Sequence, residues 1–312
     1  MNRFAHTQLI SAFAIGGVLL SSGCGNFMAE LAANGTVDVM KMGAAGFDNE
    51  HDLEMARSGA QGNIMMMKGL LEVVPGNADL VGLLASTYAS FAFGFIEDDM
   101  EDLEPGSSAW NTALNRAFDF YERARGLAMK RLQMSHEELP DLVTCTDGAL
   151  ETALSQLTVE DAGTLFWFSY AWSGMVNQMQ DDPFFLLQLP RVETLMNRVL
   201  ALNEGFFDGG AHLFFGVLKS SAPSSLSDET EASAEHFDRA IELGGAHNLM
   251  AKVLKARFLS VAKRDPAMFT TILEEVLETP VDILPSHTLS NALAKRRAAR
   301  WLNQKDRFFP EN

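Results

Sequence analysis

The sequence predicts an all-α protein, and three observations carry that prediction. Apolar residues recur every three or four positions in segment after segment from residue 51 onward, which is the period of an α-helix packed on one side. Gly, Pro and Asn residues separate these segments, as they do between helices. No stretch of four to eight residues alternates convincingly between β-branched and polar residues, as a strand would.

The N-terminal segment is predicted to be a targeting signal. Residues 1–8 carry Arg3 and no acid, and residues 9–20 are an apolar run that is too short to span a bilayer. The residues that follow, Leu19-Leu20-Ser21-Ser22-Gly23-Cys24, resemble a bacterial lipobox, although Ser21 stands where Leu is usual. Cys24 is therefore the predicted lipidation site. The alternative is a simple secreted protein in which Cys24 is incidental.

This targeting signal sets the predicted domain boundaries. Residues 1–23 form a lipoprotein signal peptide, residues 24–50 a lipid-anchored linker with a short helix, and residues 51–312 one α-helical domain. Within that domain, apolar stripes and capping signals predict helices at 51–74, from Asn77, from Ala109, at Gly148–Gln156, from Leu165 to Asp181, from Pro190, at Ala211–Lys219, at Asp228–Gly244, at Ala246–Ala262, at Pro266–Glu278 and at Ser290–Asn303.

Two charged segments are predicted to face solvent. The acidic run Glu97–Glu104 is interpreted as a loop or a frayed helix end, because it lacks the alternating ligands and the glycine of a calcium loop. A cation site is the alternative for this run. The basic segment Lys295–Arg300 is interpreted as a solvated cap on the last helix, since its charges are interleaved with alanines.

A repeated small, large, small pattern predicts paired helices. It recurs at spacings of four and then three residues in three places: Ala117/Tyr121/Ala124, Val192/Met196/Val199 and Ser233/Phe237/Ala240. This pattern is typical of the second helix of a tetratricopeptide repeat. The prediction is a divergent tetratricopeptide-type superhelix of helical hairpins, with about four pairs and a capping helix.

The most unusual helix is the one that begins at Leu165, because five of the seven residues from 166 to 172 are aromatic. Aromatic side chains pointing in nearly every direction leave no face of the helix for solvent. This helix is therefore either a central core helix or the wall of an apolar groove. The groove candidates are Trp167, Tyr170, Trp172, Arg191, His212 and Phe215. Arg191, His212 or Tyr170 would hold the carboxylate head of an apolar ligand. The alternatives are that Arg191 only pairs with an acid and that His212 is a core histidine.

Composition excludes several function classes. A net charge of −17 argues against nucleic-acid binding. The sequence has only two cysteines, and with Cys24 acylated Cys145 has no partner for a disulfide or a thiolate zinc site. None of the usual catalytic motifs is present, so neither an enzymatic activity nor a cofactor nor a metal is predicted.

The order of several motifs resembles that of the TRAP transporter TatT component family. After the lipobox these motifs are Pro75-Gly76-Asn77, Tyr88-Ala89-Ser90-Phe91, Tyr121-Glu122-Arg123-Ala124-Arg125, Leu165-Phe166-Trp167, Leu189-Pro190-Arg191-Val192-Glu193, Gly210-Ala211-His212-Leu213-Phe214-Phe215-Gly216, Phe237-Asp238-Arg239-Ala240-Ile241 and Phe269-Thr270-Thr271-Ile272-Leu273.

The resemblance implies a lipid-anchored accessory component of a tripartite ATP-independent periplasmic (TRAP) transporter. Its implied partners are the periplasmic substrate-binding protein, a hydrophobic small molecule or lipid in a groove or pore, and the membrane through palmitate or a related acyl chain on Cys24. Gly25, with no Asp there, is similar to the sorting pattern for the inner leaflet of the outer membrane. A homo-oligomer is compatible with the resemblance. The alternative is a tetratricopeptide scaffold lipoprotein for envelope assembly without a small ligand.

Overall fold

The computed structural model describes the backbone of residues 19–221 and 227–310, and side chains in that part from Phe27 onward except at 227 and 228. The described chain is all-α and contains no strand, which confirms the predicted fold class. The predicted signal peptide therefore lies mostly outside the described residues, and so does the side chain of Cys24. The helices are α1 (Leu19–Asp48), α2 (Leu53–Val73), α3 (Ala78–Phe91), α4 (Glu97–Met100), α5 (Ser108–Ser135), α6 (Asp147–Gln156), α7 (Ala162–Gln178), α8 (Pro183–Leu186), α9 (Leu189–Asn203), α10 (Gly210–Ser220), α11 (Ser227–Gly244), α12 (Leu249–Leu254), α13 (Pro266–Glu278), α14 (Thr288–Asn303) and α15 (Lys305–Phe308).

Side-chain caps fix where several helices begin. The Asp52 carboxylate accepts hydrogen bonds from the first amides of α2, and Asn77, Ser107 and Thr146 do the same for α3, α5 and α6. Such caps satisfy amide groups that have no partner inside the helix. The sequence identified Asn77 as a cap, and the structure confirms it.

A π-helical turn, Ala92–Ile96, joins α3 to α4, and a second one, Lys255–Ser260, follows α12. Insertions of this kind are rare and recur at functional sites. Including its π turn, the helix from Ala78 to Met100 is long and apolar enough to cross a membrane. Most of that stretch is buried against its neighbours, so it is a core helix.

Helices pack mainly against their neighbours along the chain. Helix α5 lies between α3 and α7, α7 also packs on α9, α10 pairs with α11, and α14 packs on α12 and α13. The nine residues of the three small, large, small triads are all buried.

Two glycines bring these helices close together. A Cβ at Gly216 of α10 would lie 3.0 Å from the ring of Phe237 on α11, and one at Gly174 of α7 would lie 2.6 Å from the ring of Tyr121 on α5. Packing of this kind is compatible with a tetratricopeptide arrangement, which stays a prediction.

The N-terminal region differs from the expected linker. Helix α1 runs without a break from Leu19 to Asp48, whereas a short helix plus linker was predicted for 24–50. The glycines at 35, 43 and 46 suggested breaks, but none of them interrupts the helix.

The two charged segments expected in solvent instead form a buried ion cluster. Asp98 is fully buried, and it lies 2.6 Å from Arg296 Nη2, 3.1 Å from Arg297 Nε and 3.0 Å from Arg300 Nη1. The predictions were therefore wrong for Asp98 and Arg297, whereas Asp102 and Glu104 of the acidic run are exposed as expected. The buried charges of the two segments neutralise each other, and the sequence pattern of one segment alone does not show that the two will meet.

Candidate functional site

A cavity of about 320 Å³ opens between α1, α3, α5 and α7. Its apolar lining includes Leu83, Trp167 and Phe206, and its charged lining residues are Lys41, Asp79, Arg131 and Glu160. Lys41 Nζ lies 2.6 Å from Asp79 Oδ2, and Arg131 donates a hydrogen bond to the Ser135 hydroxyl. The volume lies within the usual range for small-molecule pockets and would hold about ten groups of the size of water.

Trp167, which lines the cavity, also belongs to an aromatic cluster around α7. The ring centroid of Trp167 lies 5.1 Å from Phe166, 5.7 Å from Tyr170 and 5.0 Å from Phe207. Phe166 is fully buried, whereas Trp167 and Tyr170 keep some accessible surface. Trp167 is thus both part of the core and part of the cavity wall, which combines the two roles that the sequence left open for this helix.

Behind this cluster lies a polar group enclosed by the helices. Glu97, the first residue after the π turn, accepts hydrogen bonds from the Tyr121 hydroxyl at 2.7 Å and from Gln178 Nε2 at 2.9 Å. Burial raises the pKa of Glu97, and burial together with the charge of Glu97 raises the pKa of Tyr170. A carboxyl with a raised pKa keeps its proton at a higher pH than a carboxyl in water does. In its protonated, uncharged form it can contact a neutral polar group.

The segment between α9 and α10 covers one side of the aromatic cluster. Phe206 and Phe207 both contact Phe166, with ring centroids 5.3 and 5.6 Å away. Phe207 and Asp208 have φ values of 51° and 54°, and Gly209 follows at 76°. Two consecutive non-glycine residues in the left-handed region are unusual, and strain of this kind collects at ligand clamps and switch regions.

Two charged contacts hold the ends of this segment. At one end, both Glu204 carboxylate oxygens accept hydrogen bonds from Arg239, at 2.7 and 2.8 Å, and Glu204 also contacts His212 Nε2 at 3.0 Å. These Arg239 and His212 hydrogen bonds lower the pKa of Glu204 to about 2. At the other end, Asp208 Oδ2 accepts a 2.6 Å hydrogen bond from His287 Nε2. We call residues 204–209 with these contacts the clamp segment.

His212 and Phe215 lie beside the clamp segment rather than in the cavity. His212 Nδ1 is 2.8 Å from His236 Nδ1, and Phe215 stacks on the His236 ring at 5.2 Å. Burial, followed by the nearby charges of His212 and Lys219, lowers the pKa of His236 to about 4.

The remaining two candidates serve other parts of the fold. Arg191 donates hydrogen bonds to the carbonyls of Leu142 and Cys145 and contacts Asp147 at 3.3 Å, so its charge holds the loop before α6. Trp172 is buried and donates to Gln188 Oε1 at 2.7 Å. Of the six predicted groove residues, the structure places Trp167 at the cavity and Tyr170 directly behind it, and it disperses the other four.

Sequence reasoning missed several residues around the cavity. Phe206 and the clamp segment were interpreted as a chain break because of Gly205, Gly209 and Gly210. Glu97 was assigned to the solvated acidic run. The adjacent aromatics Phe206-Phe207 were the signal that could have identified the segment, since exposed loops seldom carry two of them.

Other features of the described residues add little to this site. A second depression of about 510 Å³ lies between α2, α3 and α5 and contains none of the predicted residues. The described part of the chain contains no group of three or more His, Cys, Asp or Glu side chains that could hold a metal ion.

Comparison with known families decides the assignment. A family model described as "TRAP transporter T-component" matches residues 49–309, which is most of the chain. The chain belongs to this family. The resemblance inferred from the motif order is thereby confirmed, and the T-component is assigned to a transport system. A comparison with curated proteins found no match.

Proposed function

We propose that this T-component is a lipid-anchored periplasmic protein that binds a hydrophobic ligand in the Trp167 cavity and associates with the substrate-binding protein of its transporter. The observation that carries the ligand part is the cavity itself. Its lining combines aromatic rings with charged side chains of both signs, and a clamp segment covers the adjoining aromatic cluster. This combination suits an amphipathic molecule with an apolar chain and one polar head.

The lining indicates how such a ligand would be oriented. Its apolar chain would lie against Trp167, Phe206 and Leu83. Its polar head would lie near Lys41 and Arg131, which share the lining with the carboxylates of Asp79 and Glu160. This orientation replaces Arg191 and His212 as head-group ligands, because neither of them lines the cavity.

The family role and the sequence of the signal support a periplasmic, membrane-anchored location as part of this proposal. Acylation of Cys24 would hold the protein at a periplasmic membrane surface, and the residue after Cys24 favours the inner leaflet of the outer membrane. There the T-component could reach a diffusible substrate-binding protein.

Mass spectrometry of bound lipid tests the ligand part. The protein is purified from membranes in mild detergent, extracted with organic solvent, and compared with Trp167→Ala and Phe206→Ala. We expect an amphipathic molecule in the wild-type extract and at least a tenfold loss of it in both variants. Phe184→Ala is the matched control, since Phe184 is an exposed aromatic that does not line the cavity.

Absence of any extracted ligand, with an unchanged partner interaction, would instead favour a protein scaffold without a small ligand. The partner is tested separately, by co-purification with the substrate-binding protein of the same transporter. An acyl mass on the N-terminal peptide tests the anchor.

A further inference from the structure

Few side chains of helix α1 are buried against the rest of the protein, although the helix is long. Of its described side chains, only Ala33 and Val37 are buried, and the residues between Lys41 and Gly46 are exposed. The helix nevertheless continues for 30 residues. An exposed helix of this length needs another source of stability on the side that faces away from the protein.

The exposed side of α1 carries an apolar stripe. Its large members are Met28, Leu31, Val39 and Met42, which are 61%, 56%, 63% and 74% exposed. Positions 35 and 46, both glycine, continue the same helical register of three- and four-residue steps. We call Met28, Leu31, Gly35, Val39, Met42 and Gly46 the apolar stripe, and it contains no charged residue.

The charges of α1 lie outside this stripe. Glu30 and Lys41 project from a different side, where Lys41 pairs with Asp79 of α3, and the exposed Asp38 marks the edge of the stripe next to Leu31. The helix therefore has three sides, one against the protein, one polar and one apolar and open. This division is typical of helices that lie in the plane of a membrane interface.

The position of the proposed anchor identifies the occupant of the stripe. Backbone position 24 lies four residues before Met28 and seven before Leu31, so it falls on the same helical register as the stripe. Acyl chains attached at position 24 would bring the membrane next to the N-terminal end of the stripe. A second copy of the protein on this side would have to accommodate those chains within a protein interface.

We propose that the apolar stripe of α1 lies in the lipid interface of the membrane, next to the acylated N-terminus. This inference rests on the lipid anchor of the proposed function. It makes α1 a rigid second attachment instead of a flexible tether. From Met28 to Met42 the stripe extends about 21 Å, and about 14 Å of helix separates position 24 from Ala33, so the helical body is held close to the membrane surface. Because the chain is acidic, the attraction comes from apolar contact and not from anionic head groups.

Fluorescent labels at single cysteines test the proposal in the full mature lipoprotein. Leu31→Cys and Met42→Cys place a polarity-sensitive label on the stripe, and Glu30→Cys is the matched control one residue away on the polar side. Cys145→Ser removes the other thiol while keeping a hydrogen-bond acceptor for Arg191. Each protein is reconstituted into phosphatidylethanolamine and phosphatidylglycerol vesicles with or without brominated acyl chains.

We expect brominated lipid to quench the labels at 31 and 42 at least twofold, and iodide in the water to quench only the label at 30. Labels at 31 and 42 that iodide quenches as strongly as the label at 30 would overturn the proposal. Shielding of 31 and 42 that depends on protein concentration without vesicles would also overturn it and would indicate a second copy. Circular dichroism establishes that each variant is folded.

The intact mass separates this inference from the proposed function. An unmodified Cys24 would contradict the anchor, and the labels would then be measured with Cys24→Ser. Bromine quenching in that protein would still support the lipid contact of α1, and its absence would contradict it. An acylated protein with its stripe in water would leave the anchor standing and refute the inference.

Discussion

At the scale of single residues, the buried carboxylate of Asp98 has the largest predicted effect on stability. Burial acts to raise its pKa, but the hydrogen bond from Arg300 and the charges of Arg297 and Arg296 outweigh burial and lower the pKa. Asp98→Asn would leave three guanidinium groups without their carboxylate, and we expect a loss of about 3 to 5 kcal/mol in the free energy of unfolding. Urea denaturation of the full protein measures it.

Asp102 provides the matched control for Asp98. It also accepts from Arg300, at 2.9 Å, but its side chain is 59% exposed. We expect Asp102→Asn to cost less than about 1 kcal/mol. Equal effects of the two substitutions would show that burial of the cluster does not matter.

His236 is predicted to make stability depend on pH. Its pKa in the fold is about 4, below the value near 6.5 of an unfolded histidine, so below pH 6.5 the unfolded chain binds the proton first. Stability should therefore fall as the pH drops from about 6.5 to 4, by about 1 to 2 kcal/mol once solvent screening is allowed for. Urea denaturation at pH 7.5 and 4.5 measures this loss.

His236→Asn should make that loss smaller, since the amide nitrogen can donate to His212 Nδ1 but carries no titrating proton. His51→Asn, at a side chain that is 76% exposed, is the control and should leave the pH dependence as it is. A variant with the same pH dependence as the wild type would show that other groups cause it.

At the scale of elements, two glycines predict opposite outcomes for the same substitution. Gly174→Ala would place a methyl group 2.6 Å from the ring of buried Tyr121, whose hydroxyl is fixed by Glu97, so α5 and α7 must separate. We expect a loss of about 1 to 3 kcal/mol in the free energy of unfolding.

Gly126→Ala is expected to have the opposite effect. Gly126 lies on the exposed side of α5, away from the helix ends, and a Cβ there would have nothing within 4 Å, so the free energy of unfolding should rise by about 0.5 to 1 kcal/mol. Thermal unfolding of both variants checks the sign, and a destabilised Gly126→Ala would contradict the helix-propensity explanation.

Helices were predictable because their signals are local. Caps such as Asn77 and the apolar stripes lie within one segment, and the buried triads follow from the same period. The ion cluster was not predictable, because Asp98 and Arg297 are far apart in the chain and each segment taken alone resembles a solvated surface. The site was only partly predictable for the same reason. Trp167 was identified from local aromatic density, while Phe206 and Lys41 reach the cavity only through the packing of distant helices.

At the scale of the whole molecule, the clamp segment links parts of the chain that are remote in sequence. Asp208, between α9 and α10, is held by His287 at the start of α14, and Phe206 and Phe207 of the same segment cover the aromatic cluster. Movement of the segment would therefore expose the aromatic cluster next to Trp167 without separating helices. Clamp contacts at the two ends would then set how often that opening occurs.

Asp208→Asn tests this by weakening one contact without adding backbone strain, because Asn tolerates a positive φ. Replacing a hydrogen bond to a carboxylate by one to a neutral amide, a loss of about 1 kcal/mol, should speed amide hydrogen exchange in residues 203–212 about fivefold, with little change in α5 and α7. Asp282→Asn, at an exposed residue between α13 and α14, is the control and should leave the exchange pattern as it is.

Unchanged exchange in residues 203–212 would mean that Glu204 and the aromatic contacts hold the segment alone. Faster exchange confined to that segment would identify it as the part of the T-component that opens, since a weakened core would raise exchange across α5 and α7 as well.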